Sequence, residues 1–174
     1  SRPDSLRSRI RTVYRDPTRP LSHIYAARLE AEFGDAPTLQ AAGDIYDATY
    51  TVAFGIIAAG VSKPTGHAIS RGIRRLVGPG DKLELVPERI ARGVELLQAG
   101  EKIDLEGVNG PLDFDARGDV LADSAVGCYV RDMATNAVRL VFSGQVYRAA
   151  TSVNRTRCTC LRACRSPRSR NDPP

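Results

Sequence analysis

Gly100-Glu101-Lys102-Ile103-Asp104-Leu105-Glu106-Gly107-Val108-Asn109-Gly110-Pro111-Leu112-Asp113-Phe114-Asp115-Ala116-Arg117-Gly118-Asp119 is the stretch on which the reading of this chain turns. Ile103–Gly107 is short and extended. Gly107, Gly110 and Gly118 then permit backbone angles that other residues resist, and Pro111 fixes a turn. Leu112 and Phe114 alternate with Asp113 and Asp115, which predicts a short extended piece with an apolar and a polar side. Asp115 is placed to accept hydrogen bonds from the amides of the Ala116-Arg117-Gly118 turn. A calcium loop is a poor reading of the same residues. Arg117 stands at its fifth position and Ser124 at its twelfth, where Glu belongs. Arg117-Gly118-Asp119 spells an adhesion tripeptide, and a tight turn explains it equally well.

Upstream of this stretch the pattern is mainly helical. Leu21, Ile24, Tyr25, Leu29 and Phe33 follow helical spacing, with Pro20 suited to a first helical position and Gly34 to the stop. Ile45 to Ala59 is apolar on nearly every face, which predicts a helix packed on most sides. Ile69, Ile73, Leu76 and Val77 form an amphipathic stripe that ends at Gly78-Pro79-Gly80. Lys82–Val86 reads as a strand or extended connection. Pro87 opens a helix with the stripe Ile90, Val94 and Leu97, closed by Gly100. Downstream, Val120–Val130 and Val138–Val146 read as strands. Near the start, Leu6, Ile10 and Val13 punctuate a basic run that is either a short strand or a loop. Helices and strands in this mix argue an α/β or α+β class and no repeat architecture.

Charge placement weighs against one class of function. Of the 25 basic and 20 acidic side chains, six arginines and one Asp lie in residues 151–174, which leaves 19 of each sign in residues 1–150. The net charge of +5 therefore belongs to the ends and not to the body. The absence of Trp and the few aromatics weaken the case for an aromatic-lined nucleic-acid platform; basic ends can bind phosphate backbones non-specifically, but a solvated end is favoured and no nucleic-acid partner is expected. Residues 151–174 read as a basic, low-complexity tail, disordered and without periodicity. Their Arg-, Ser-, Thr- and Cys-rich composition also suits out-of-frame reading of GC-rich DNA.

Cysteines and histidines give no chemistry. Cys158, Cys160 and Cys164 have no zinc-like spacing, and Cys128 lies in an apolar run as a small buried hydrophobe. His23 and His67 belong to no triad or two-His metal spacing, and no Gly-rich phosphate loop is present. No enzyme activity, cofactor or metal is expected. No apolar run reaches the ~18 residues of a membrane helix.

Three segments, taken in order and spacing, resemble the leucine/isoleucine/valine-binding family of type I periplasmic solute-binding proteins. Ile24-Tyr25-Ala26-Ala27-Arg28 through Phe33-Gly34-Asp35-Ala36-Pro37 is similar to the family's helix and Y-G-x-x-P turn. Tyr46-Asp47-Ala48 through Ala58-Ala59-Gly60 is similar to its Y-D-A … A-I-x-x-A-G run. Residues 100–119 are similar to G-x-x-I-x-Y-E-G-x-x-G-x-L-x-F-D-x-x-G-D. The match spans residues 20–130 and corresponds to the C-terminal part of such a protein.

The resemblance implies an α/β fold: the C-terminal portion of two lobes joined by crossing strands, with incomplete sheets. Residues 1–150 would supply segments of both lobes. It further implies a small-molecule ligand, a branched-chain or related amino acid, held in the interlobe cleft and delivered to ABC permease subunits. The location would be periplasmic or cell-envelope, with the secretion signal outside this chain. One ligand-contact position of the family, just before the Tyr-Asp-Ala run, matches Gly43, which offers only backbone. Asp44 beside it either reaches a ligand amine or caps the helix beginning at Ile45, the cap being favoured. Tyr46 and Asp47 line or brace the cleft, or Tyr46 is a core residue with a bonded hydroxyl. Alternatives of other classes are a sensor or receptor domain of the same fold, an enzyme of doubly wound type, and an inactive fragment.

Overall fold

The computed structural model describes residues 10–34, 39–131 and 134–149. The tail assigned to 151–174, with Cys158, Cys160 and Cys164, lies outside them. Ten elements follow in order: β1 (Arg11–Arg15), α1 (Pro20–Phe33), α2 (Leu39–Ala59), α3 (Gly66–Ile73), β2 (Asp81–Glu84), α4 (Pro87–Gln98), β3 (Ile103–Gly107), β4 (Gly110–Pro111), β5 (Ser124–Arg131) and β6 (Val138–Tyr147). The fold is mixed α/β with two small sheets, ordered β1-β5-β6 and β2-β3-β4. The chain divides into two compact units. One takes the residues up to Asp16 and those from Asp123 onward, and the other is Pro17–Ala122. The first unit is thus discontinuous in sequence, and the second is inserted into it.

In the discontinuous unit, β1 and β6 each pair antiparallel with β5, and a register shift falls between Ala125 and Gly127. A Cβ on Gly127 would lie 2.7 Å from the Tyr14 ring and 2.8 Å from Leu140, so glycine lets those side chains close over the strand. Asp16 is fully buried and is held by Arg148, which also bonds Asp123 at 2.8 Å. A buried carboxylate needs such partners to stay ionised. Cys128 is buried, as its apolar run implies, but it is disulfide-bonded and not a free thiol.

The inserted unit holds the larger core. Phe54 and Ala58 of α2, Leu83 of β2, Leu96 and Leu97 of α4, and Ile103 and Leu105 of β3 are all buried in one cluster. β2 and β3 run parallel with Leu83 beside Leu105, and α4 makes the crossover that parallel strands require. Pro87 starts α4 and Gly100, at φ 89°, follows its end, as the sequence predicts. Asp81, Lys82 and Glu84 stand exposed on β2, and charges of this kind discourage further strand pairing at an edge. Arg75 ties the helix ends together, donating to the carbonyls of Ala58 (2.8 Å) and Glu101 (2.6 Å). These are carbonyls at or just beyond helix C-termini that lack intrahelical partners.

Three expectations need correction. The apolar helix starts at Leu39, well before Ile45, and it is not packed on most sides: Ile45 is 66% and Val52 47% exposed. Only the face carrying Asp47, Thr51, Phe54 and Ala58 is buried, because α1, α3, α4 and the turn after β3 pack on that side. The stripe through Val77 is not all helix. α3 ends at Ile73, and Leu76 reaches the core from the turn beyond it. Val120 makes only an isolated bridge to Phe114, so the strand expected from Val120 begins at Ser124. The cause is the Asp115 turn. Asp115 accepts from the amides of Arg117 (2.8 Å) and Asp119 (3.0 Å), and Gly118 takes φ 90° to close the loop.

α2 and α3 cross at two glycines. A Cβ on Gly72 would sit 2.0 Å from the Gly55 carbonyl oxygen, a backbone atom that cannot step aside. Gly72→Ala is expected to cost at or above the top of the roughly 1–3 kcal/mol range for overpacking, read as a lower urea midpoint. Gly66→Ala, whose added methyl meets nothing within 4 Å, should leave the midpoint within error.

Candidate functional site

The carboxyl ends of the parallel strands β2 and β3 are the natural place to look for a binding site in an open α/β sheet. The chain after β3, Gly107-Val108-Asn109-Gly110, is gripped there from two helices. Asp47 on α2 is 4% exposed, and its two carboxylate oxygens accept from the backbone amides of Val108 (2.8 Å) and Asn109 (3.1 Å). A Cβ on Gly107 would fall 2.6 Å from Asp47 Oδ2, so glycine is what lets the carboxylate reach. One turn earlier, Asp44 accepts from Asn109 Nδ2 at 2.9 Å. From α1, the Ser22 hydroxyl donates to the Val108 carbonyl at 2.7 Å.

Each expected site residue therefore has a place. Gly43 is buried against the Asn109 side chain, where a Cβ would meet Nδ2 at 2.8 Å. It makes room for the Asp44–Asn109 bond. Asp44 is interior to α2 and does not cap it, because the helix begins five residues earlier; its carboxylate orients Asn109 instead. Tyr46 is half-buried at the centre of a ring series, 5.0 Å from Tyr25 and 4.7 Å from Tyr50, and Tyr50 in turn lies 6.0 Å from Phe54. Burial chiefly, then the neighbouring Tyr50 hydroxyl and the charge of Asp47, pushes the Tyr46 phenol up to about 12. The Tyr25 phenol is raised as well, first by burial and then by Asp47. Both hydroxyls are thus neutral at physiological pH.

A groove opens beside this turn, roofed by α1. Leu21, Ile24, Tyr25 and Leu29 line the roof. Tyr46 lines one wall, and Leu85, Val86, Pro87 and Val108, the residues that follow β2 and β3, line the floor. The cavity is about 270 Å³. Across its mouth the Arg28 guanidinium pairs with both oxygens of Glu88, at 2.7 and 3.3 Å, which holds the Glu88 carboxyl below its usual range. In a neighbouring cavity, Glu106 pairs with Arg19 and Lys82, each at 3.4 Å.

Asp47 is committed to backbone amides. His23 and His67 are exposed, and among the described residues no cluster of His, Cys, Asp or Glu could hold a metal ion. No helix of the described residues is long and apolar enough to cross a membrane. Sequence reasoning missed Ser22 and Asn109, each a polar side chain whose partner lies more than 60 residues away. Compared with known proteins, the chain matches no protein-family model, no curated protein and no solved structure.

If Asp47 holds the turn, Asp47→Ala strands two largely buried amides. It is expected to cost about 3 kcal/mol in urea unfolding. Asp47→Asn, which keeps one acceptor oxygen, should fall between that variant and the parent.

Proposed function

We propose that this chain is the C-terminal part of a type I solute-binding protein of the leucine/isoleucine/valine-binding kind, the extracytoplasmic component of an ABC importer for branched-chain or related amino acids. One observation carries the reading. The three sequence segments that resemble the family are far apart in the chain, yet they meet at one place. Tyr25 from the first packs its ring on Tyr46 from the second, and Asp47 from the second accepts from the amides of Val108 and Asn109 from the third. Chance matches to three motifs have no reason to converge at the carboxyl ends of parallel strands. The buried Asp47, whose residue type the Tyr-Asp-Ala motif specifies, is what binds two of them together.

In this reading Gly43, Asp44 and Tyr46 stand where ligand contacts are expected. Asp44 retains one carboxylate oxygen beyond the one bonded to Asn109, and an ammonium group is its natural partner. No catalytic step is assigned.

The test is the gene locus together with its product. The upstream reading frame should encode the earlier strands of a two-lobed protein behind a secretion signal, beside permease and ATPase genes. The protein expressed from that frame should retain labelled leucine, isoleucine or valine in equilibrium dialysis. A frame with no such upstream segment, or a product that retains no amino acid, would refute the assignment.

A further inference from the structure

The groove under α1 has features that the solute-binding reading does not use. α1 is fourteen residues long and contains no buried residue, although Leu21, Ile24 and Leu29 all face the groove. A helix normally gains its place by burying an apolar stripe. This one is held instead by the Ser22–Val108 hydrogen bond, the Tyr25–Tyr46 ring contact and the Arg28–Glu88 pair. The stripe is present, but what it faces is a cavity at the carboxyl ends of β2 and β3.

From this the geometry points to a ligand site in the groove for a small uncharged molecule with one aromatic ring or a branched apolar body. The size fits: about 270 Å³ lies just under the ~300–1,000 Å³ typical of small-molecule pockets. The lining fits too, since the tyrosine rings at 25 and 46 offer faces and edges to a ring, and the rest of the floor is aliphatic. Charge selects against an anion. The one cation at the mouth, Arg28, is held by both oxygens of Glu88, and Glu32 adds a further carboxylate to the rim. An anionic ligand would have to displace Glu88 from Arg28. A neutral ligand leaves that pair closed above it and completes the core beneath α1.

The site lies wholly within the inserted unit, so it stands or falls independently of the importer reading. It is tested with benzyl alcohol and benzoate as the two probes, followed by amide chemical shifts of the full chain. Benzyl alcohol should give saturable shifts confined to residues 21–33, 46, 85–87 and 108, and should slow amide exchange in α1. Benzoate should bind at least about tenfold more weakly, because its carboxylate would be desolvated in an apolar groove whose one lining cation is already paired. Leu29→Trp, which fills the groove from the roof, should abolish the benzyl alcohol shifts while keeping or raising the thermal midpoint. Leu29→Glu provides a second loss-of-binding variant. The site is refuted if benzyl alcohol produces no saturable shift there, if the shifts survive Leu29→Trp, or if benzoate binds as well as the alcohol.

Discussion

A single carboxylate, that of Asp47, organises the inserted unit. It sits on a mostly apolar helix, buried, and would be costly there without partners. The two consecutive amides of Val108 and Asn109 supply them. Their own hydrogen-bonding need arises because the chain leaves β3 at Gly107 and turns, so the ladder no longer serves them. Helix and turn thereby satisfy each other. Gly107 permits the approach, Gly43 makes room for Asn109, and Asp44 and Ser22 fix the outer side of the turn.

That mutual satisfaction decides where the groove sits. With α2 tied to the carboxyl end of β3, Tyr46 is brought beside Tyr25 and the residues following β2, and the groove exists because these three walls meet. The stabilising core, around Phe54, Leu83, Leu97 and Leu105, reaches the groove floor through Leu85. The site therefore sits at the rim of a packed scaffold, under a helix that contributes nothing buried, and it has latitude the core lacks.

Much of this was legible in the residues. Pro20 and Gly34, Pro87 and Gly100, and the alternation about Leu112 marked element ends and faces that the structure keeps. The Asp115 turn was readable because an Asx turn is a local contact. What local pattern could not show was the companionship of Asp47. An Asp amid Ala, Tyr and Thr looks like a break in an apolar helix, and only its partners 61 and 62 residues away explain it. The same blindness misjudged α2. Apolar residues all round imply burial all round, but the neighbouring elements pack against one side of the helix, and Ile45 and Val52 remain in solvent. Asp44 was misread for a related reason: a cap is inferred from where a helix begins, and this helix begins at Leu39.

Amide hydrogen exchange at Val108 and Asn109 measures the Asp47 interaction directly. If the carboxylate holds the turn, both amides should exchange as slowly as that of Leu105 within β3 and should lose that protection in Asp47→Ala. Exchange at the rate of an exposed loop in the parent protein would contradict the account, because the turn, and the groove built beside it, would then have no fixed partner.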